Sequence, residues 1–170
     1  MKKQMIIALA AVAATASLVA APASAYEKGD WRTTIGITNI QPDNPVLDDG
    51  ATVDDATQLS FTGAYFFTDG LALELLASLP FQHDVSVPEL GAGVSIKHLP
   101  PTLSLQWYFN NSSPITPYLG VGANWTIFFD ETGYGALAGA DVELDDSFGY
   151  ALQAGLDYSF TDNLFMNVDI

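Results

Sequence analysis

The 170-residue sequence has no cysteine, so disulfides, thiolate metal centres and cysteine nucleophiles are all unavailable to it. Positive charge is nearly as scarce: five Lys and Arg stand against twenty Asp and Glu. From residue 26 onward only Lys28, Arg32 and Lys97 remain, which excludes the basic footprint that nucleic acid requires. Histidine is limited to His83 and His98, with no metal-motif spacing and no Ser-His-Asp arrangement in order or context. No catalytic residue, metal ligand or cofactor is assigned on these grounds. Beyond residue 25 no apolar run reaches the ~18 residues of a membrane-crossing helix.

The first 25 residues differ from the rest. Lys2 and Lys3 precede an Ala-rich apolar run that ends in Ala23-Ser24-Ala25, a small-residue cleavage pattern. This predicts a secretory signal peptide over 1–25 and a mature domain over 26–170 that begins at Tyr26.

Within the mature domain, alternation with a period of two recurs in segment after segment, which predicts strands and not helices. Strands are expected at about 31–40, 57–68, 71–79, 102–109, 118–129 and 148–160, with a seventh beginning near Leu164. The connections alternate in length. Those at Asp69-Gly70, 110–114 and 161–163 are tight and rich in turn residues. Those at about 41–56, 80–101 and 130–147 are long, and they hold thirteen of the twenty acids. Short turns at one end and long loops at the other describe an antiparallel up-and-down meander able to close into a barrel.

Alternation alone leaves open which face is wet. The polar face carries Gly, Ala, Ser, Thr, Gln and Asn, with very little Lys or Glu, a poor solvent surface but a good lining for a narrow lumen. The apolar face carries aromatics near strand ends: Trp31, Phe67, Trp107, Phe109, Trp125, Phe129, Tyr158 and Phe160. Such residues suit the two interfacial girdles of a transmembrane β-barrel, and strands of roughly 9–11 residues suit a tilted span of the hydrocarbon. The prediction is an exported, all-β, bacterial outer-membrane barrel whose long acidic loops face outside.

Several segments also resemble the outer-membrane protein W family of Gram-negative bacteria: "GDWRTTIGITNIQP", "ELLASLPFQHDV", "KHLPPTLSLQWYF", "PYLGVGANWTIFF" and "DDSFGYALQAGLDYSF". The resemblance covers nearly all of 26–170 in order. It implies an eight-stranded barrel that acts as a passive conduit for small hydrophobic molecules, with an apolar lumen connected sideways into the membrane. It also implies outer-membrane lipids, lipopolysaccharide and the barrel-assembly machinery as partners, and no cofactor. One departure stands out. The family closes with an eighth strand, whereas this sequence ends at "LFMNVDI", within the seventh. The expectation is therefore a chain lacking its C-terminal strand, with about seven strands present and two open edges, which as written does not form a closed, functional barrel.

Three constellations follow. Pro80 ends the third predicted strand and Pro100-Pro101 begin the fourth, so antiparallel pairing brings them together near the outer rim, where each removes a ladder donor. They are candidates for a lateral gate; the plainer reading is that they terminate strands. By parity Ile40, Leu76 and Phe128 point inward near the same end and are candidates for a lumen constriction, with simple interior packing as the alternative. Arg32, Glu74, Asp157 and Asp169 also point inward and need partners, which predicts a plug of salt bridges low in the barrel. The acidic loops, with Asp48-Asp49, Asp54-Asp55, Asp130-Glu131 and Asp145-Asp146, read as solvated surface. The predicted function is passive passage of small hydrophobic solutes, and the alternative is a structural or receptor barrel with a closed lumen.

Overall fold

The computed structural model describes residues 10–18, 26–43, 50–161 and 164–170. Predictions that fall on 1–9, 19–25, Asp48-Asp49 and the centre of the 161–163 turn lie outside the described residues. Among the described residues eleven strands form, with one 3-10 turn at Pro88–Leu90. They are β1 (Ala10–Leu18), β2 (Trp31–Gln41), β3 (Thr52–Val53), β4 (Ala56–Thr68), β5 (Leu71–Ser78) and β6 (Phe81–Val87). They continue with β7 (Ala92–Leu99), β8 (Thr102–Tyr108), β9 (Ile115–Gly135), β10 (Ser147–Thr161) and β11 (Leu164–Asp169). Every pairing is antiparallel.

The six complete predicted strands and the start of the seventh correspond to β2, β4, β5, β8, β9, β10 and β11. Their period sets two faces. In β2, exposed and buried residues alternate from Trp31 to Ile37, and apart from Thr33 the exposed set is apolar: Trp31, Ile35 and Ile37. The buried set on β2 includes Arg32, Thr34 and Thr38. On β8, Leu103, Leu105 and Trp107 point out while Ser104 and Gln106 are buried. A soluble sheet of this period would reverse both faces, so the outer surface is built for lipid and the inner one for a polar lumen.

Two differences from the sequence reading concern the edges. First, the long connections are not plain loops. β9 runs on to Gly135, and β6, β7 and the short β3 join it to form a sheet that extends the wall at the long-connection end. Chain alternation weakens there, and loop acids such as Asp84 and Asp130 sit within strand-paired segments, which hid these strands from a reading based on apolar periodicity. Second, the position beside β11 is occupied. Residues 10–18 pair with β11 on one side and with β2 on the other. Pairing then runs β10–β11–β1–β2–β4–β5–β8–β9, and β9 also pairs with β10. Each of these eight strands thus has two neighbours, but β1 lies within the predicted signal peptide 1–25, and within 26–170 alone β2 and β11 are the edges, as the sequence reading expects. The physical reason is that exposed N–H and C=O rows recruit whatever segment can add to the ladder.

Candidate functional site

The lumen has two buried apolar clusters at opposite levels. Near the short turns, Tyr26, Phe66, Tyr108 and Tyr118 pack with Ala64 and Ala72. Near the long connections, Ile40, Ala56 and Phe81 pack together.

The lower level holds a polar network. Arg32 grips Asp157 with two parallel bonds, Nε to Oδ2 at 2.9 Å and Nη2 to Oδ1 at 2.8 Å. Its Nη1 reaches Glu74 Oε2 at 3.0 Å. The fork geometry of guanidinium suits this double engagement, and all three residues are almost completely buried. The Phe165 ring lies 4.9 Å from the Arg32 guanidinium carbon and supplies a cation–π face. Asp157 also accepts from Asn167 Nδ2 at 2.8 Å and from the Tyr26 hydroxyl. Asp169, the fourth predicted charge, is not bonded to Arg32. It accepts from Tyr118 Oη at 2.9 Å and Gln153 Nε2 at 2.6 Å, and Gln153 leads on to Glu74 at 3.3 Å. Arg32, Glu74 and Asp157 are thus brought into direct contact, and Asp169 is joined to them through Gln153.

Tyr26 was not singled out as a site residue, yet it sits at the centre of this level. Its ring stacks on Phe66 with centroids 4.4 Å apart and meets Tyr108 edge-on at 4.9 Å. Its backbone is tied down by Asn110, whose Nδ2 donates to the Tyr26 carbonyl at 2.9 Å. Gly155 makes room for the neighbouring Tyr118: a Cβ there would lie 2.5 Å from the Tyr118 ring, so any larger residue would displace it. A single aromatic ahead of β2 carries no periodic signal, and only the meeting of β4, β8 and β10 around it reveals its role.

At the upper level the wall between β5 and β8 changes character. Their ladder runs from Leu71 opposite Trp107 to Leu76 opposite Thr102. Pairing resumes one residue out of step at Phe81 opposite His98, between β6 and β7. Among the described residues no pair joins 77–80 to 99–101, the stretch that contains Pro80, Pro100 and Pro101. Both sides of this break are bonded elsewhere. Leu79 N–H donates to Leu59 C=O at 2.9 Å, and Trp125 N–H donates to Pro101 C=O at 3.0 Å. Asn124 Nδ2 donates to Pro100 C=O at 3.1 Å. Pro100 and Pro101 are therefore fastened to β9, and the β5 side with Pro80 is left unlaced.

Leu76 and Phe128 are half-buried on the inner face, while Ile40 is fully buried against Ala56 and Phe81. Phe128 stacks on His98 at 5.8 Å, with an interplanar angle of 12°. His98 in turn lies 5.0 Å from His83 and 5.7 Å from Phe81, centroid to centroid. Leu76, Phe128 and Ile40 thus belong to one end of the lumen, with Phe81 and the two histidines as further members. The histidines lie beyond Trp125, the outward tryptophan at that end, since His98 pairs with Phe128, three residues further along β9. Burial and the adjacent His83 lower the His98 pKa from its ordinary value to about 4, so its imidazole is neutral at physiological pH.

The OmpW family model matches residues 27–170. The chain is 41% identical to outer membrane protein W of Vibrio cholerae over 182 residues, covering 99% of this chain and 82% of that protein. It is 36% identical to outer membrane protein W of Escherichia coli K12 over 179 residues, covering 100% of this chain and 82% of that protein. In three dimensions it is similar to the crystal structure of the outer membrane protein OprG from Pseudomonas aeruginosa, with a TM-score of 0.60 and 26% identity, covering 94% of this chain and 89% of that one. Outward apolar strands, a polar inner face and these matches together establish an outer-membrane β-barrel protein, and the chain belongs to the OmpW family.

Proposed function

We propose that this protein gives small hydrophobic molecules passive passage across the outer membrane, admitting them to an apolar outer half of the lumen and releasing them sideways into the bilayer. The observation that carries this reading is the unlaced stretch of wall at 77–80 and 99–101. Lipid-facing backbone must be paired or sheltered, so a gap there needs a reason, and the three prolines within it have no backbone donor with which to repair it. Leu76, Phe128 and Ile40 supply apolar surface at the same level, and Pro80, Pro100 and Pro101 frame the exit. The Arg32, Glu74 and Asp157 cluster, joined to Asp169, fits a plug that denies water and ions a straight path through the lumen. No covalent step or cofactor enters this mechanism. Outer-membrane lipid and lipopolysaccharide are the surroundings of the exit, and the barrel-assembly machinery is the expected route of insertion.

The same plug also favours a second reading, a structural or receptor barrel whose lumen stays closed. Flux separates the two. In vesicles with lipopolysaccharide in the outer leaflet, the protein should accelerate entry of an apolar naphthylamine dye. Replacing Pro80, Pro100 and Pro101 together by threonine should restore ladder donors at Pro100 and Pro101 and lower entry towards that of protein-free vesicles. Unchanged entry in the triple variant would overturn the lateral exit, and no acceleration by the unaltered protein would favour the closed barrel.

A further inference from the structure

The buried side-chain polar atoms that have no hydrogen-bond partner among the described residues are Ser78 Oγ, His83 Nε2, and both ring nitrogens of His98. All belong to residues at or just beyond the break in the wall. Ser78 lies in the unlaced stretch, and His98 is the register partner of Phe81, three residues after Ser78. Elsewhere among the described residues of the lumen, buried polar groups are satisfied, as the chain from Tyr108 through Gln106 and Gln153 to Asp169 illustrates. Leaving such a group unmade costs on the order of 1–3 kcal/mol, so several in one place call for a ligand.

We infer that His83 and His98, flanked by Ser78, form a hydrogen-bonding subsite at the lateral exit for the hydroxyl group of a neutral, otherwise apolar molecule such as an alcohol or phenol. The subsite rests on the reading of the exit given above and names the substrate class that it would favour.

The protonation pattern points to a hydroxyl. His83 Nδ1 lies 2.6 Å from the backbone carbonyl oxygen of Asp54, which can only accept, so Nδ1 donates there and Nε2 is the nitrogen left without a partner among the described residues. His98 offers one N–H and one lone pair, and Ser78 offers an O–H. A hydroxyl both donates and accepts, and so matches this set. The surroundings are rings and aliphatic groups from Phe81, Phe128 and Ile40, which suit an alkyl or aryl body. A carboxylate would arrive without a counter-ion: His98 is neutral, and Lys97, on the opposite parity of β7, is engaged by Asp130 at 3.0 Å on the exposed face. A metal is a poor fit as well, because among the described residues no group of three or more His, Cys, Asp or Glu is placed to hold one.

The two histidines allow a clean test. The intact protein, labelled with 15N-histidine and held in lipid nanodiscs, is titrated with 1-octanol and separately with n-octane. Octanol should give saturable shifts of the His83 Nε2 and His98 resonances, and octane should not. His98→Phe preserves a ring between Phe81 and Phe128 and should weaken octanol binding about ten-fold, the loss of one hydrogen bond. Equal shifts with octane, or octanol affinity unchanged in His98→Phe, would overturn the subsite. Dye entry into the lipopolysaccharide vesicles is measured in parallel. Normal entry without octanol shifts overturns the subsite alone, whereas octanol shifts without any entry support the subsite and overturn passage.

Discussion

At the short-turn end of the lumen, Arg32, Asp157, Glu74, Asn167, Tyr118, Asp169 and Gln153 hold one another in a continuous set of bonds. At the long-connection end, Phe81 and Phe128 flank His98, which lies beside His83, and three of the four ring nitrogens of these histidines lack a partner among the described residues. The same inward parity therefore yields two materials. Where charges are complementary and reach one another, burial locks them and the lumen becomes a rigid stopper. Where neutral polar groups are left singly among rings, burial keeps them available. The β5–β8 seam follows the same division, being laddered from Leu71 and Trp107 up to Leu76 and Thr102 and broken above them.

The largest effect should come from disabling the lower end. Arg32→Ala leaves Asp157 and Glu74 buried without their cation and should cost roughly 3–5 kcal/mol, the usual penalty for a broken buried ion pair. Urea unfolding in detergent micelles, followed by the shift between folded and unfolded gel mobility, would measure it. A loss below 1 kcal/mol would mean that the network is not structural.

A smaller effect isolates the stopper from the fold. Tyr26→Ala removes a ring wedged between Phe66 and Tyr108 and a donor to Asp157, at a cost of about 3 kcal/mol by analogy with other buried aromatics. The expected functional sign is increased ion conductance in a planar bilayer, with apolar dye entry little altered. Dye entry that rises in step with conductance would erase the division between a closed lower lumen and a lateral upper exit.

The smallest effect probes the upper end through pH. His98 is harder to protonate in the folded state than in an unfolded chain, so acid favours the unfolded or opened form. Its contribution is complete above about pH 6.5, declines as pH falls, and levels off near pH 4, where the folded form also takes the proton. His83, 5.0 Å away, adds like-charge repulsion if protonated, while Asp54, 3.8 Å from His83, opposes it. Asp84 lies on the outward parity of β6. Hydrogen exchange in the β6–β7 hairpin should quicken between pH 6.5 and 4, and His98→Phe should flatten that dependence. Equal quickening in the lower strands would show a global response instead.

Most of the spanning architecture was legible because the two-residue period reports which side of a strand meets lipid. β2 and β8 need no partner to declare themselves, since Trp31, Ile35 and Ile37, interrupted only by Thr33, and Leu103, Leu105 and Trp107 form outward apolar rows. The inward direction of Arg32, Glu74, Asp157 and Asp169 followed from the same parity. Their bonding did not, because they lie on four strands and only the pairing register decides that Arg32 meets Asp157 and Glu74 while Asp169 meets Gln153. The β6–β7 hairpin and the far half of β9 were read as loop, since above the membrane no lipid enforces a clean alternation.

What the sequence determined by itself is local: strand periodicity, the side that faces lipid, the tight turns, and the donors missing at Pro80, Pro100 and Pro101. What the tertiary structure decided is the set of meetings between distant segments. It seats Tyr26 under Phe66, tethers Pro100 to Asn124 of β9 and leaves β5 unlaced, and brings His83 beside His98. The physical reason is that a strand's period fixes direction at each residue, whereas register and bulges, set by cooperation among all the strands, fix which directions converge.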